Sequence, residues 1–360
     1  MFNGCNFKVV VPTRDSERWI GQFLKAYRAI GIEPLYIVDS RTRDRTEAVL
    51  RDAGADIRLF EPGGDFVEFG MPAFASQMVS EDWIYRLDDD EFPSTGLLRW
   101  AQEIGCQSNR TGWHLSRREL FRKKDRIVYS RLWSQFYTVS DPTYLNAQLR
   151  LYRHRDVDYC NEIHTPGFRL PQENTGYAPQ DHYFIHCDVL LRSAEERLEK
   201  LRRYERLRPG SSWKFGYNYL PELLADEEHP AAPIETDQFD SLLASLPQPL
   251  QTQHVALIPS ELDALQSAIS GFRRELETGP RRARIMNHWL ATKPIAWVLC
   301  ALAKILNPLE QSVTRRCTFS HRLQELGTDI WYCADVRRSR RKLTWHRRAL
   351  AACRLIPADS

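Results

Sequence analysis

Residues 83–93 read Trp-Ile-Tyr-Arg-Leu-Asp-Asp-Asp-Glu-Phe-Pro. An apolar, strand-like stretch runs straight into four consecutive carboxylates, Asp88, Asp89, Asp90 and Glu91, and a proline follows. Four adjacent acids repel one another, and at the end of a buried strand a cation relieves that repulsion. Carboxylate oxygens are the ligands that hard Mg2+ and Mn2+ prefer, and one or two suffice where phosphates supply the rest. The plain alternative is a solvated acidic turn. Strand alternation sets Asp88 and Asp90 on one side and Asp89 on the other. A metal site then expects severe losses from Asp88→Ala and Asp90→Ala and a milder one from Asp89→Ala. Glu91 is left between a supporting partner of that site and a contact to an acceptor.

The elements before this run would position it. Lys8–Pro12 is a β-branched run ending in proline, a buried first strand. Ser16 is placed to cap a helix whose Trp19, Ile20, Phe23, Leu24, Tyr27 and Ile30 recur at spacings of three and four, and Gly31 closes it. A second strand spans Pro34–Ser40, with Asp39 at its carboxyl end. A helix over Asp44–Ala53 stops at Gly54, a third strand covers Asp56–Phe60, and Pro72–Val79 is weakly helical. Strand and helix alternate with short connections, which predicts a parallel α/β sheet. Ligands of such sheets bind beyond the carboxyl ends of the strands, where Asp39 and Asp88–Asp90 fall. Asp39 also suits a plain turn or capping role.

The chain has 360 residues, 42% of them hydrophobic and 27% charged, as a folding globular protein has. Its 8 cysteines are scattered without C-x-x-C spacing, which predicts free thiols in a reducing compartment. The N-terminus has no charged-then-apolar leader layout, and no apolar run approaches the length of a membrane span. Glycine-rich phosphate loops are missing: neither G-x-G-x-x-G after the first strand nor G-x-x-x-x-G-K-[ST] occurs. A nucleotide on this sheet would need a metal to neutralise its phosphates, and the acid cluster is the holder at hand.

Three stretches in register resemble the GT-A-fold glycosyltransferases, in particular the family-two nucleotide-sugar enzymes. Val9–Asp15 is similar to that family's opening strand and loop. Ile37–Asp44 is similar to its V-D-D-x-S-x-D segment, and Leu87–Glu91 to the D-x-D after its fourth strand. Ser40 stands where the family has a second Asp, and Arg41, Arg43 and Arg45 crowd the same loop, as phosphate contacts or as a solvated basic turn. The resemblance implies a GT-A-like (Rossmann-like) mixed sheet flanked by helices, with a mostly helical C-terminal appendage. It implies a hexosyltransferase moving a sugar from a UDP- or GDP-linked donor to a glycan or lipid-linked acceptor, with inversion and with Mn2+ or Mg2+. It assigns Pro12, Thr13, Arg14, Asp39, Asp65, Asp88 and Asp89 to the nucleotide, and Asp88 and Asp90 to the metal.

Beyond residue 93, Gly112–Leu115 and Arg126–Tyr129 are expected as strands flanking a charged hairpin or loop, and Asn146–Arg153 alternates as another strand. Glu162 and His164 share a face if a strand continues past Cys160, which makes Glu162 the candidate general base, with Asp181 in reserve. His164 and Glu91 are further candidate acceptor-side contacts. Asp181–Asp188 precedes Ser193 and Glu196, a capping box that opens a helix carrying Lys200 and Tyr204 on the same face as Glu196. This block is similar to the family's H…S-x-E-E…K…Y element, which implies His186 as a metal ligand and Lys200 and Tyr204 as candidate diphosphate contacts.

The expected domains are 1–215, the GT-A-like unit; 216–258, a linker or loop; and 259–360, a basic helical region. Glu222–Asp240 holds seven acids and no Lys or Arg, which reads as a solvated linker. Residues 271–360 carry 18 Lys and Arg against 7 Asp and Glu, so the +3 net charge hides about −8 on the first 270. Arg281–Arg284 beside Trp289, Leu290 and Trp297 suits an interfacial helix on an anionic membrane, or a helical cap on the main unit. Arg337–Lys342 comes with no nucleic-acid module, so no nucleic-acid partner is expected. The expected location is cytoplasmic, peripheral on the inner face of a membrane. Two rivals use the same features: a nucleotidyl- or phosphotransferase on the same acids, and an inactive membrane-associated scaffold. The first would normally show a Gly- and Lys-rich phosphate loop, absent between Pro12 and Ser16.

Overall fold

The computed structural model describes residues 7–63, 70–123, 126–130, 147–160, 167–170, 174–179, 181–207, 219–221, 231–234, 237–248, 257–268 and 270. The chain divides into two compact units, Met1–Trp133 with Leu145–Phe272, and Ser134–Tyr144 with Arg273–Ser360. Every described residue belongs to the first. The expected site residues Asp65, Glu162 and His164, and the basic stretch 271–360, lie outside the described residues.

The first elements are β1 (Phe7–Thr13), α1 (Ile20–Ala29), β2 (Leu35–Asp39), α2 (Thr46–Asp52), β3 (Asp56–Phe60), α3 (Met71–Met78) and β4 (Trp83–Arg86). All four strands are parallel, in the order β4-β1-β2-β3. The chain steps outward from β1 to β3 and then returns to the far side of β1 for β4. That reversal opens a crevice beyond the carboxyl ends of β1 and β4.

Side-chain alternation fills both faces. Val9, Val11, Tyr36, Val38, Trp83 and Tyr85 share a core with Ile20, Phe23, Leu24 and Tyr27 of α1. Val10, Leu35, Ile37 and Ile84 share another with Met71 and Ala75 of α3. Each such side chain, once fully buried, contributes roughly 1.5–3 kcal/mol. This is why the strands read as continuous apolar runs. Gly31 (φ 79°) and Gly54 (φ 63°) end α1 and α2 in the left-handed region, as expected. Ser16 does not cap its helix with its side chain. Helix α1 begins at Ile20, the Ser16 carbonyl accepts the Trp19 and Ile20 N–H groups, and its hydroxyl is given to Asp89.

The proline after the acid run does not end the ordered chain. Glu91–Pro93 forms β5, and Ser94 then caps α4 (Thr95–Trp100), which passes into a π-helical turn at Ala101–Gly105. The expected hairpin is β6 (Gly112–Lys123) with β7 (Arg126–Ser130), and β8 (Gln148–Arg153) lies antiparallel between β4 and β6. A small ladder joins β9 (Asp158–Tyr159) to β10 (Phe168–Arg169), and β11 (Thr175–Tyr177) runs parallel to β6. Strand β12 (Tyr183–His186) pairs parallel with β6 and antiparallel with β5. The result is the expected Rossmann-like α/β architecture, a mixed sheet flanked by helices.

Two helices follow, the short α5 (Asp188–Leu191) and the longer α6 (Ala194–Leu207). The expected capping box opens α6: Ser193 N–H donates to Glu196 Oε2 at 2.7 Å, and Glu196 N–H to Ser193 Oγ at 3.2 Å. The acidic stretch expected as a solvated linker is in part built into the fold. Within it, β13 (Ala231–Pro233) extends the sheet on β7, and α7 (Asp240–Ser245) follows. Ile234, Phe239 and Leu242 are buried in the main core, so apolar residues spaced among the acids anchor it. A helix over 259–268 places Leu265 with Leu198 and Leu220, and Glu261 takes a two-point ion pair from Arg202. Among the described residues no helix is long and apolar enough to cross a membrane.

His114 in β6 stacks on Tyr177 of β11, with ring centroids 4.8 Å apart and planes 21° off parallel. Burial pushes its imidazole down from about 6.5 to about 4. The unfolded chain therefore takes up a proton between those values that the folded chain refuses, and stability falls as pH drops through that window. His114→Phe keeps the stack and removes the proton site. Urea midpoints at pH 7.5 and 4.5 should differ less in the variant than in the parent; an equal acid loss in both would overturn the assignment.

Candidate active site

The acid run does not continue strand β4. Leu87 N–H still bonds to the Val10 carbonyl, but the chain then turns, and Glu91 N–H closes on the Asp88 carbonyl at 3.0 Å. Strand alternation therefore does not hold, and Asp88 and Asp90 are not set side by side. The four carboxylates leave the turn toward different partners.

Asp88 faces two guanidinium groups, with Arg150 Nη2 at 2.7 Å from Oδ2 and Arg86 Nη2 at 3.3 Å from Oδ1. Burial alone would raise its pKa, but Arg150 and Arg86 outweigh it and hold the group well below the usual carboxylate range. Asp89 has only hydroxyl donors: its Oδ2 accepts from Thr13 Oγ1 at 2.7 Å and from the Ser16 hydroxyl. Burial and the neighbouring Asp90 push it up to about 6. Asp90 lies with Oδ2 at 2.6 Å from Arg192 Nη1 and Oδ1 at 3.2 Å from His186 Nε2. Burial opposes its charge, but His186 and Arg192 keep it ionised. Glu91 is fully buried and turned inward: Oε1 meets Arg150 at 2.7 Å and Arg117 at 3.5 Å, and Oε2 accepts the Asp88 N–H. Glu91 thus supports the turn from behind. Tyr27 of α1 fastens the same turn by donating to the Glu91 carbonyl at 3.0 Å.

His186 ends β12 in register with Glu119 of β6, and its Nδ1 lies 2.5 Å from Glu119 Oε1. Burial would lower its pKa, but Glu119 and Asp90 raise it to about 10. Two residues on, Asp188 contacts Arg192 Nη1 and lies 3.0 Å from Lys200 Nζ. Asp90, His186 and Asp188 offer ligand atoms that all lie within 4.8 Å of one another. Two carboxylates and an imidazole suit a divalent cation such as Mn2+. Glu119 on the far ring nitrogen is the outer partner that orients such a ligand. The residues therefore fit a metal. Of the three ligands expected, Asp90 and His186 come together, Asp188 joins them, and Asp88 is engaged by arginines instead.

Asp88, Asp89 and Asp90, with Arg86, Arg192 and Lys200, border a cleft of about 460 Å³ beyond the carboxyl ends of β1, β2 and β4. Pro12, Arg14, Asp39, Asp88, Asp89, Asp90, Lys200 and Tyr204 line it. The loops after β1 and β2 are stitched together to form its rim. Asp15, at φ 52°, accepts the Arg43 N–H at 2.8 Å, Glu17 accepts that of Arg45, and the Thr46 hydroxyl accepts that of Ser16. Asp39 is already taken: Arg41 binds it through Nε at 2.9 Å and Nη2 at 2.7 Å, with Arg14 Nη1 at 3.6 Å. Against the cost of burial, these arginines hold Asp39 below its ordinary pKa. What this corner offers a ligand is then Arg14. Asp181 is not brought to the cleft; its carboxylate is exposed, 3.4 Å from His182 Nδ1.

Sequence reasoning missed Asp188, Arg192, Glu119, Arg150 and Trp19. Asp188 follows His186 at i+2 and Arg192 follows Asp188 at i+4, signals present but ordinary. Glu119 and Arg150 become visible only through strand pairing.

Asp89 changes most in meaning. Asp89→Ala leaves the Thr13 hydroxyl without its acceptor in a nearly water-free spot, at a cost of about 1–3 kcal/mol, while the Ser16 hydroxyl keeps the Arg14 carbonyl at 3.0 Å. We expect a loss of about 2 kcal/mol in urea unfolding, and a far smaller one for Asp89→Asn, which keeps an acceptor. An alanine variant within about 0.5 kcal/mol of the parent would sink this structural role.

No protein-family model matches the chain, and no curated protein matches it in sequence. Among solved structures, it is similar to glucosyl-3-phosphoglycerate synthase from Mycobacterium tuberculosis. One crystal structure of that enzyme, with UDP, shows 14% identity over 34% of this chain and 47% of that one, at a TM-score of 0.27. Another, with Mn2+, UDP and glucosyl-3-phosphoglycerate, shows 11% over 65% and 88%, at 0.39. The mannosyltransferase PcManGT from Pyrobaculum calidifontis, with GDP-Man and Mn2+, shows 12% over 92% and 86%, at 0.40. S. aureus TarS with UDP-GlcNAc shows 14% over 93% and 91%, at 0.36. All four TM-scores fall below 0.5, so these are distant resemblances, and the chain spans less than half of the first.

Proposed function

We propose that this protein is a metal-dependent glycosyltransferase that moves a sugar from a nucleoside diphosphate donor to an acceptor hydroxyl, with inversion, in glycan or envelope polysaccharide synthesis. The observation that carries this is the Asp90–His186–Asp188 group beside Arg192 and Lys200, of which Asp90, Arg192 and Lys200 line a cleft at the carboxyl ends of three neighbouring parallel strands. A diphosphate is the ligand chemistry that needs both a divalent cation and fixed side-chain cations where no glycine loop cradles it.

Asp90 and His186, with Asp188, would hold Mn2+ or Mg2+, whose charge stabilises the diphosphate as it leaves. Lys200 and Arg192 add positive charge on the same side, and Arg14 and Arg18 line the cleft wall. In the transfer, the acceptor oxygen bonds to the anomeric carbon while the bond from that carbon to the diphosphate oxygen breaks. The electron pair departs with the diphosphate, and the acceptor proton passes to a carboxylate. Glu162 is proposed for that base and His164 for an acceptor contact. Asp181 is a weaker candidate because it sits exposed beside His182. We further propose that the basic stretch after residue 271 meets an anionic membrane surface, which fits a lipid-linked acceptor and a peripheral cytoplasmic location.

A thermal-shift series with nucleoside diphosphates and nucleotide sugars, in Mn2+ and in chelator, tests the proposal. A ligand at about 100 times its Kd adds about 2.7 kcal/mol, a rise of roughly 5 °C for a domain of this size. The expected pattern is such a rise for UDP or GDP compounds in Mn2+ alone, together with metal-dependent release of the sugar. Asp90→Asn should abolish both while leaving the metal-free melting point within a few degrees. No response to any donor, with or without metal, would overturn the enzyme assignment; turnover of a nucleoside triphosphate instead would favour a nucleotidyltransferase.

A further inference from the structure

Arg192 leaves the chain between two helices, on extended backbone (φ −107°, ψ 140°) at the end of α5 and one residue before the capping box of α6. Its Nη1 lies between the two carboxylates of the three-residue group, 2.6 Å from Asp90 Oδ2 and in contact with Asp188 Oδ1. Among the described residues its Nε and Nη2 make no hydrogen bond. The guanidinium lies 4.7 Å from the Trp19 ring centroid, and both residues line the cleft. So placed, one guanidinium neutralises both acids without a metal, and it does so on the two carboxylates that a divalent cation would need. Lys200 differs: among the described residues its ion pair is to Asp188, at 3.0 Å, from a turn of α6.

Resting on the metal site assigned above, we propose that Arg192 is a resident counter-ion that competes with the divalent cation for Asp90 and Asp188. When the site is loaded, Arg192 engages the donor diphosphate through its unused donors. The planar fork of a guanidinium matches phosphate oxygens at two points and stays charged when buried, so it serves either anion. The two ligands are then linked through one side chain. A diphosphate that draws Arg192 away frees the acids, and linkage requires each ligand to raise the affinity of the other by the same factor.

The test is direct Mn2+ binding to the full-length protein, followed by the electron paramagnetic resonance signal of free Mn2+ without nucleotide, for the parent, Arg192→Gln and Arg192→Lys. Binding of UDP and of GDP at saturating Mn2+ is measured on the same samples. Removing a unit charge this close to the cation should tighten Mn2+ binding about tenfold in Arg192→Gln. The same variant should bind the nucleoside diphosphate at least about tenfold more weakly, with Arg192→Lys between the two. Opposite shifts in one variant do not arise from general misfolding. If the parent binds Mn2+ and Arg192→Gln binds it equally or less well, the counter-ion role is overturned and the metal site stands. If the variant keeps its urea midpoint and loses affinity for both ligands, Arg192 only builds the site, and the proposal is likewise overturned. If neither parent nor variant binds Mn2+, the metal site itself is wrong.

Discussion

Four carboxylates in one buried turn cannot coexist without compensation. Two unit charges about 4 Å apart repel by roughly 4 kcal/mol even at an effective dielectric constant near 20. Each acid of the 88–91 run is met by donors brought from elsewhere in the chain, with Arg150 shared between Asp88 and Glu91. Arg86 of β4 and Arg150 of β8 answer Asp88, and the loop after β1 answers Asp89 through hydroxyls. His186 of β12 and Arg192 beyond α5 answer Asp90, while Arg150 and Arg117 of β6 answer Glu91. The order of the strands around the turn is thus also a way of delivering counter-charge to it. The antiparallel insertion of β8, which makes the sheet mixed, is what brings Arg150 beside Asp88 and Glu91.

Such a network is a poor way to stabilise a protein. Buried ion pairs often do no better than well-packed apolar residues of similar volume, and breaking one leaves an uncompensated charge. The stability here comes from the two apolar faces of the sheet, where Val9, Val11, Trp83 and Tyr85 on one side and Val10, Ile37 and Ile84 on the other are almost free of solvent. A charged turn at the rim of so complete a core departs from the rule that the rest of the domain obeys. Departures of that kind mark functional ground.

The parallel half of the sheet was legible because its signals are local. β-Branched runs give β1 and β2, the strand Asp56–Phe60 appears with the expected limits, and left-handed glycines end α1 and α2. The capping box of α6 was legible for the same reason, since Ser193 and Glu196 satisfy each other within three residues. What failed depended on distant partners. Ser16 has the composition of a helix cap, yet its hydroxyl goes to Asp89, 73 residues away. Alternation assigned Asp88 and Asp90 to one side, but alternation belongs to strands, and the chain stops being one at Leu87. Ile234, Phe239 and Leu242 lie in a stretch whose average charge hid them, because burial is decided residue by residue and composition is not. Glu119 had no signal at all until β6 and β12 were aligned.

The choice of cation around the turn carries a further consequence. Arg86, Arg117, Arg150 and Arg192 are all guanidinium groups, and a guanidinium keeps its charge in surroundings that would discharge a lysine. The counter-charge they supply is therefore fixed across the physiological pH range. Lys200 is the exception, and it is held charged because Asp188 lies 3.0 Å away and outweighs the cost of its burial. With these cations constant, Asp88, Asp90 and Asp188 stay ionised, and the groups free to change protonation are those that lack a dedicated guanidinium. Asp89, near 6, has hydroxyl donors, and His186, near 10, has carboxylates on both ring nitrogens. A cation held by Asp90, His186 and Asp188 would take the neutral imidazole as its ligand, so it would compete with a proton there. The same arginines that make the acid turn tolerable thus leave its adjustable protonation to Asp89 and to His186, whose outer nitrogen Glu119 already holds.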